Sequence, residues 1–225
     1  MTSEPEPKID SDYYQWAKGM GLDYLHHGPW QIGYAKAIAD AVGEWPTNAS
    51  LFLDIGSACG SQLKAFKDLG VFNAVKGVEQ DGAMVKAGRE TFGFLAGELK
   101  KATVPPLDID DRLVSVVHCS HVLEHMEAGP IRKLAAEVFR VLRSGGCWVV
   151  VGPTLKQGQE KADHAKDSTH VTIARPGWWD VLFHEAGFVF DAEALGRMAR
   201  SDILVEDRNY LQTYDRWTVW CLRKP

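Results

Sequence analysis

The stretch Leu51-Phe52-Leu53-Asp54-Ile55-Gly56-Ser57-Ala58-Cys59-Gly60 constrains this chain more than any other. An apolar run ends in an acid, Asp54, then passes through two glycines into a helical pattern at residues 62–69. A strand that turns through glycines into a helix presents backbone N–H groups at the helix N-terminus, where a ligand can come close. Twenty-five residues after Asp54, a second apolar run at 75–78 ends in another acid, Glu79. An acid at the tip of the second strand is where a ribose diol is held in nucleotide-binding α/β folds. Together the two strand ends describe a nucleoside-binding site. The glycine spacing is G-x-x-x-G, not the G-x-G-x-x-G that turns glycine amides toward a pyrophosphate. Asp54 would repel a pyrophosphate. It suits a ligand carrying an amine and a sulfonium.

Apolar, β-favouring runs predict strands at 50–55, 75–79, 113–118 and 146–151, with a weaker one near 94–99. Between them, 3.6-residue periodicity predicts helices at 60–69, 82–92, 130–142 and 176–186. Gly145-Gly146 reads as the stop of the third of these. This alternation implies a doubly wound, mostly parallel α/β sheet. Two further runs, 188–192 and 216–222, read as strands. Upstream, residues 13–20 can form a short helix, and residues 30–42 an amphipathic one with Ile32, Ala35, Ile38, Ala39 and Val42 on its apolar face. The segment 154–176 is too long for a plain strand-to-helix loop, and loops of that length are functional or disordered.

The D-x-G-x-x-x-G loop, followed by an acid after the next strand, resembles the class I S-adenosylmethionine (SAM) dependent methyltransferases. Downstream, Ser120-His121-Val122-Leu123-Glu124-His125 resembles the segment after the fourth strand in a large small-molecule subgroup of that family. So do Arg140-Val141-Leu142-Arg143-Ser144-Gly145-Gly146 before the apolar run 147–151, and Thr169-His170-Val171, 178–183 and Ala186-Gly187-Phe188 beyond it. The resemblance runs over residues 50–190. It implies a seven-stranded sheet with an antiparallel C-terminal edge hairpin, and SAM as cofactor. Residues 1–48 would be a helical lid and 49–225 the SAM-binding domain of a single globular unit. Asp54, Gly56, Ser57, Ala58 and Gly60 would face the methionine part, and Glu79, with Gln80 beside it, the ribose. His118 and Ser120 would line the methyl end or the adenine side. Two positions depart from the family pattern: Ala58 replaces the middle glycine and Ser115 replaces an aspartate in the fourth strand. Glu98 would fill the place of the acid that reads adenine after the third strand.

Methyl transfer needs alignment of nucleophile, methyl and sulfur, and a group to take the acceptor's proton. His121 and His170 are the candidate bases, since imidazole titrates near neutral pH. His121, Glu124 and His125 stand at i, i+3 and i+4, which a helix would bring to one face, with His170 arriving from the long loop. Imidazoles and a carboxylate also suit a divalent metal. Some O-methyltransferases carry a resembling E-x-x-E-H segment and a later histidine, there holding a metal. A metal is the lesser reading beside a histidine base. Tyr13, Tyr14, Trp30, His164 and Trp178 are candidate substrate contacts, aromatic walls with polar tips.

The net charge of −5, from 25 basic and 30 acidic residues, and the absence of a dense basic block argue against a nucleic-acid partner. No N-P-P-Y string follows the fourth strand. No apolar run approaches the ~20 residues that span a bilayer. The acidic N-terminus has no signal-peptide pattern. Four cysteines without C-x-x-C spacing read as buried thiols of a cytoplasmic protein. The expected function is methyl transfer from SAM to an O or N atom of a small metabolite. A noncatalytic SAM-binding protein, a metal-assisted O-methyltransferase and a nicotinamide-dependent oxidoreductase stand as alternatives. Oligomeric state is not legible.

Overall fold

Strands β1 (Leu51–Ile55), β4 (Val114–Ser120) and β5 (Leu142–Pro153) are buried over most of their length because helices cover both faces of the sheet. The computed structural model describes residues 12–19, 23–43, 50–155, 169–200 and 217–225. Within them β2 (Ala74–Glu79), β3 (Leu99–Lys101), β6 (Val189–Phe190) and β7 (Trp217–Arg223) complete a seven-stranded sheet in the order β3-β2-β1-β4-β5-β7-β6. The first five strands are parallel. β7 runs antiparallel to both β5 and β6. The expected edge pair is therefore present, with β7 inserted inside β6.

Side chains alternate between two cores along β1 and, beyond the irregularity at 114–116, along β4. Phe52 and Val116 face α2 (Pro29–Val42), α3 (Ser61–Leu69) and α7 (Ala192–Ala199), packing with Tyr34, Ile38, Phe66 and Met198. Leu53, Ile55, Val117 and Cys119 face α5 (Ala128–Val141) and α6 (Pro176–Glu185), where Trp148 and Phe183 are buried. Each such aliphatic or aromatic side chain contributes about 1.5–3 kcal/mol by leaving water. A third cluster joins Tyr14 of α1 (Asp12–Gly19) to Cys59 in the loop after β1 and to Met84 and Ala87 of α4 (Gly82–Phe92). All four cysteines are free and buried. Burial, with Glu79 and the acids beyond it nearby, pushes the Cys59 thiol up to about 12, so it stays protonated. Among the described residues no helix is long and apolar enough to cross a membrane.

Three local readings are corrected. The weak strand near 94–99 lies instead at 99–101, because residues 95–98 turn: the amides of Glu98 and Leu99 both donate to the Leu95 carbonyl. Helix α5 ends at Val141, not at the glycines, because Leu142 goes extended (φ −66°, ψ 136°) to pair with Val114 and open β5. Gly145, at φ +73°, serves the irregularity in β5 that separates the Val114–Leu142 pair from the Val116–Cys147 pair. Beyond β6 the chain does not stay extended. The Asp191 carboxylate caps α7 by accepting the Ala194 amide, and Ala194 and Met198 seat that helix against the α2 side of the sheet.

Candidate active site

In this strand order the chain leaves β1 toward β2 on one side and reaches β4 on the other, so the β1–β4 boundary is a topological switch point, where open α/β sheets hold ligands. Asp54 and His118 are register partners across that boundary. Both side chains are buried, and His118 Nδ1 lies 2.8 Å from Asp54 Oδ1. On its other side His118 Nε2 lies 3.3 Å from the Tyr34 hydroxyl. His118 thus does not line an open cleft, as the sequence suggested. It is clamped between a carboxylate and a phenol.

The loop after β1 is shaped by close approaches. Gly56 has φ +71°, and a Cβ there would meet Val122 Cγ2 at 2.2 Å. Gly88 of α4 lets that helix sit against the loop, since a Cβ would meet the Cys59 carbonyl oxygen at 2.0 Å. The loop amides are not bare. Those of Gly56 and Ser57 donate to the Val78 carbonyl, that of Ala58 to Glu79, and that of Gly60 to the Ser57 carbonyl. The loop is held to β2 by its own backbone, which sets its shape.

Glu79 ends β2 and joins two segments. Oε2 accepts from Ala58 N at 3.0 Å and Oε1 from Asp81 N at 2.9 Å. Burial raises its pKa, and the amides of Asp81, Ala58 and Gln80 offset that only in part. Gln80 beside it is exposed. Glu98 is not at the β3 tip. It precedes β3, tied to Lys67 Nζ at 2.6 Å and to the Leu95 amide, and Ala102-Thr103 follow the strand instead. The adenine acid expected from the resemblance has no counterpart there.

The exit of β4 departs from the expected helix face. Ser120 closes the strand, half-buried, and His121 follows at φ +57°. Val122 then drops onto the Gly56 loop, and a single 3₁₀ turn covers Leu123–His125. His121 Nδ1 lies 3.0 Å from Glu124 Oε1, the imidazole one-third exposed and the carboxylate buried. Glu124 also anchors the returning chain, its main-chain oxygen accepting from the amides of Val171 and Thr172. This brings His170 to 5.0 Å, centroid to centroid, from His125. Ligand atoms of Glu124, His125 and His170 lie within 4.8 Å of one another, and His121 stands outside that cluster. Glu124 Oε2 is buried with no hydrogen-bond partner among the described residues.

The remaining candidates divide. Trp30 stacks on Tyr34 at 5.2 Å within α2, and Trp178 packs edge-on against Trp179 at 4.8 Å over the α6 core. Tyr14 is buried against the loop, not displayed to a cleft. His164 and the side chain of Tyr13 lie outside the described residues. Sequence reasoning missed Tyr34, whose only signal was a place on a helix read as packing.

Residues 52–146 match the model of the family described as a methyltransferase domain, a span that holds the loop, both strand-end acids and the β4 exit. Over that span the chain is similar to a methyltransferase domain. Among solved structures it is similar to a SAM-dependent methyltransferase from Archaeoglobus fulgidus, at 16% identity and TM-score 0.68 over 95% of this chain and 100% of that one. It is equally similar to the methyltransferase of a Haloferax volcanii complex with the Trm112 activator, at 16% and 0.67 over 97% and 100%. It also resembles phosphoethanolamine N-methyltransferase 2 from Haemonchus contortus, solved with phosphomonomethylethanolamine and S-adenosylhomocysteine, at 15% and 0.64 over 85% and 52%. At such identities these likenesses concern the fold. No match is found among curated proteins.

Proposed function

We propose that the chain transfers a methyl group from SAM to an oxygen or nitrogen atom of a small polar metabolite, with His121 as general base. The observation that carries this reading is the pair of acids at the ends of neighbouring strands, flanking the 56–60 loop beside the switch point. The residues fit the cofactor. His118 takes Asp54 Oδ1, which leaves Oδ2 for an ammonium. Each Glu79 oxygen accepts one amide and keeps a lone pair for a ribose hydroxyl. SAM supplies, when bound, an electrophilic methyl on a sulfonium. The chain's own residues orient the acceptor and take its proton. An ionised Glu124 can only accept, so in the neutral imidazole His121 Nδ1 carries the hydrogen and Nε2 is the basic nitrogen. That is the arrangement of an oriented imidazole base.

The imidazoles and hydroxyl gathered after β4, at His121, His125, Thr169 and His170, favour a polar acceptor. The Haemonchus enzyme, solved with a small phosphorylated amine, is a parallel. The Haloferax complex is a parallel for a protein partner. Tyr14 on Cys59, and His27 Nδ1 3.2 Å from the Ser61 carbonyl, support the N-terminal segment as the cover of the cofactor loop. Four buried free thiols suit a reducing cytoplasm. The test is calorimetric titration with S-adenosylhomocysteine, with NADH as comparator, then labelled SAM with a metabolite pool. Binding of NADH and not of the homocysteine product sinks the reading.

A second reading rests on the Glu124–His125–His170 cluster, whose donors suit a divalent cation. His125 Nδ1 lies 2.9 Å from Thr169 Oγ1 at the edge of this cluster. A bound cation would polarise an acceptor hydroxyl. Titration with manganese or zinc alone tests it: saturable micromolar binding lost in His170→Ala supports a metal, and none refutes it.

A further inference from the structure

The loop-side acid has two neighbours whose role the cofactor reading leaves open. Asp54 is an acid whose side chain is only 4% exposed. A carboxylate so placed needs donors to hold both its charge and its direction. His118 Nδ1, at 2.8 Å, is one. An ionised carboxylate accepts only, so Nδ1 carries the hydrogen, and in the neutral imidazole Nε2 is left to accept from Tyr34 Oη, 3.3 Å away. Every hydrogen bond in the chain Tyr34–His118–Asp54 then points toward the carboxylate. The imidazole is also held by its faces. It stacks on Phe52 at 6.3 Å and meets the Tyr34 ring edge-on at 5.8 Å, while Tyr34 stacks on Trp30. The ring has no freedom to leave Asp54.

We propose that His118 and Tyr34 are positioning residues that aim Asp54 at the amino group of the cofactor's methionine part, so that a side chain of helix α2 takes part in cofactor recognition. This rests on the cofactor reading above. Neither residue touches the ligand. Both act through the one carboxylate oxygen left uncommitted. The consequence is specific. Losing them weakens ligands that carry the amino acid moiety and spares ligands that lack it.

The experiment is calorimetry with two ligands, S-adenosylhomocysteine and 5′-methylthioadenosine, which shares the adenosine and lacks the amine and carboxylate. His118→Leu removes the donor to Asp54 and should raise the homocysteine ligand's Kd about 10-fold, as expected for one charge-assisted hydrogen bond. His118→Asn keeps an N–H near the Nδ1 position and should restore most of that affinity. Tyr34→Phe keeps the ring stack and should weaken the same ligand about 3-fold, as expected for one neutral hydrogen bond acting at a distance. The methylthioadenosine Kd should stay within about 2-fold throughout, since the adenosine contacts are untouched. A parallel loss of both ligands in His118→Leu and Tyr34→Phe overturns the proposal in favour of a purely structural role. Unchanged homocysteine-ligand affinity overturns it outright. If His118→Leu does not fold, His118→Asn and Tyr34→Phe decide the matter by the same comparison. Failure of the wild-type chain to bind S-adenosylhomocysteine overturns the cofactor reading itself, and the positioning role with it.

Discussion

Glu79→Gln isolates the charge at the tip of β2 with almost no change in volume. In the wild type the two carboxylate oxygens serve two segments, the Ala58 amide at 3.0 Å and the Asp81 amide at 2.9 Å. A carboxamide has one acceptor oxygen, so one of those amides would face an NH₂ group and lose its partner. That loss alone is worth about 1.5–3 kcal/mol. The fold recovers part of it, because burial already disfavours the charged form of Glu79. The expected net change in stability is therefore within about 1 kcal/mol. Binding has no such offset. Two ribose hydroxyls that donated to an anion would meet a neutral group with one acceptor, a loss of about 1.5–3 kcal/mol, or about 10- to 150-fold in Kd. The ribose is common to S-adenosylhomocysteine and methylthioadenosine, so calorimetry should show both weakened by the same factor. That pattern differs from the one expected of His118→Leu. A Glu79→Gln chain that binds both ligands within 2-fold of wild type would falsify the ribose assignment.

Gly88→Ala tests the approach of α4 to the loop. A Cβ 2.0 Å from the Cys59 carbonyl forces backbone to move, so Tm should fall by at least about 5 °C in a thermal melt, and a change under 1 °C refutes the contact. Glu79 also predicts a pH dependence. Its folded pKa lies above its unfolded one, so the folded chain binds the proton more tightly; the stability this confers is complete below the ordinary glutamate range and is lost as pH rises through the folded value. The difference between wild-type and Glu79→Gln unfolding free energies should shift in that window and be flat outside it; denaturant titrations at several pH values that show no shift refute the burial argument. Glu124→Gln should lower labelled-methyl transfer about 10- to 100-fold with little change in Tm: Oε1 still accepts from His121, but a neutral carboxamide no longer stabilises the imidazolium formed when His121 takes the proton, and Oε2 makes no hydrogen bond that the change would break. Loss of stability in step with activity would make Glu124 a structural residue only.

Much of the fold was legible because its strands are buried on both faces and its helices are amphipathic. Runs such as 51–55 and 147–151 fall inside β1 and β5. The misreadings have local causes. Gly145-Gly146 resembles a helix stop, but the glycines serve an irregularity within β5, and only the pairing of Leu142 with Val114 shows that the helix has already ended. Helix α7 was signalled by Asp191 ahead of Ala194 and Met198, a capping acid before apolar residues four apart, but Phe188, Val189 and Phe190 outweighed it with their β preference. The i, i+3, i+4 spacing of His121, Glu124 and His125 suggested one helix face. The left-handed His121 and a single 3₁₀ turn produce a different neighbourhood, in which His121 and Glu124 meet and His125 turns to His170.

The deeper limit concerns the two histidines of His118-Cys119-Ser120-His121. In sequence they are equivalent: imidazoles three residues apart at the end of a strand, both fit to line a site. The structure gives each a carboxylate at Nδ1, at 2.8 Å for Asp54 and 3.0 Å for Glu124. Chemically the pairs are the same, and only their surroundings separate them. Register places His118 beside Asp54 under Tyr34, at 4% exposure, with both ring nitrogens engaged. Such an imidazole has no face from which to take an acceptor's proton, and what it can do is hold its carboxylate. The bend after β4 leaves His121 34% exposed over a Glu124 that is 1% exposed. There the buried partner is the acid, which fixes the ring, and the exposed partner is the imidazole proposed as base. Exchanging those exposures would exchange the roles. Register and a left-handed φ, which no periodicity encodes, therefore decide which histidine is enclosed and which is open to an acceptor.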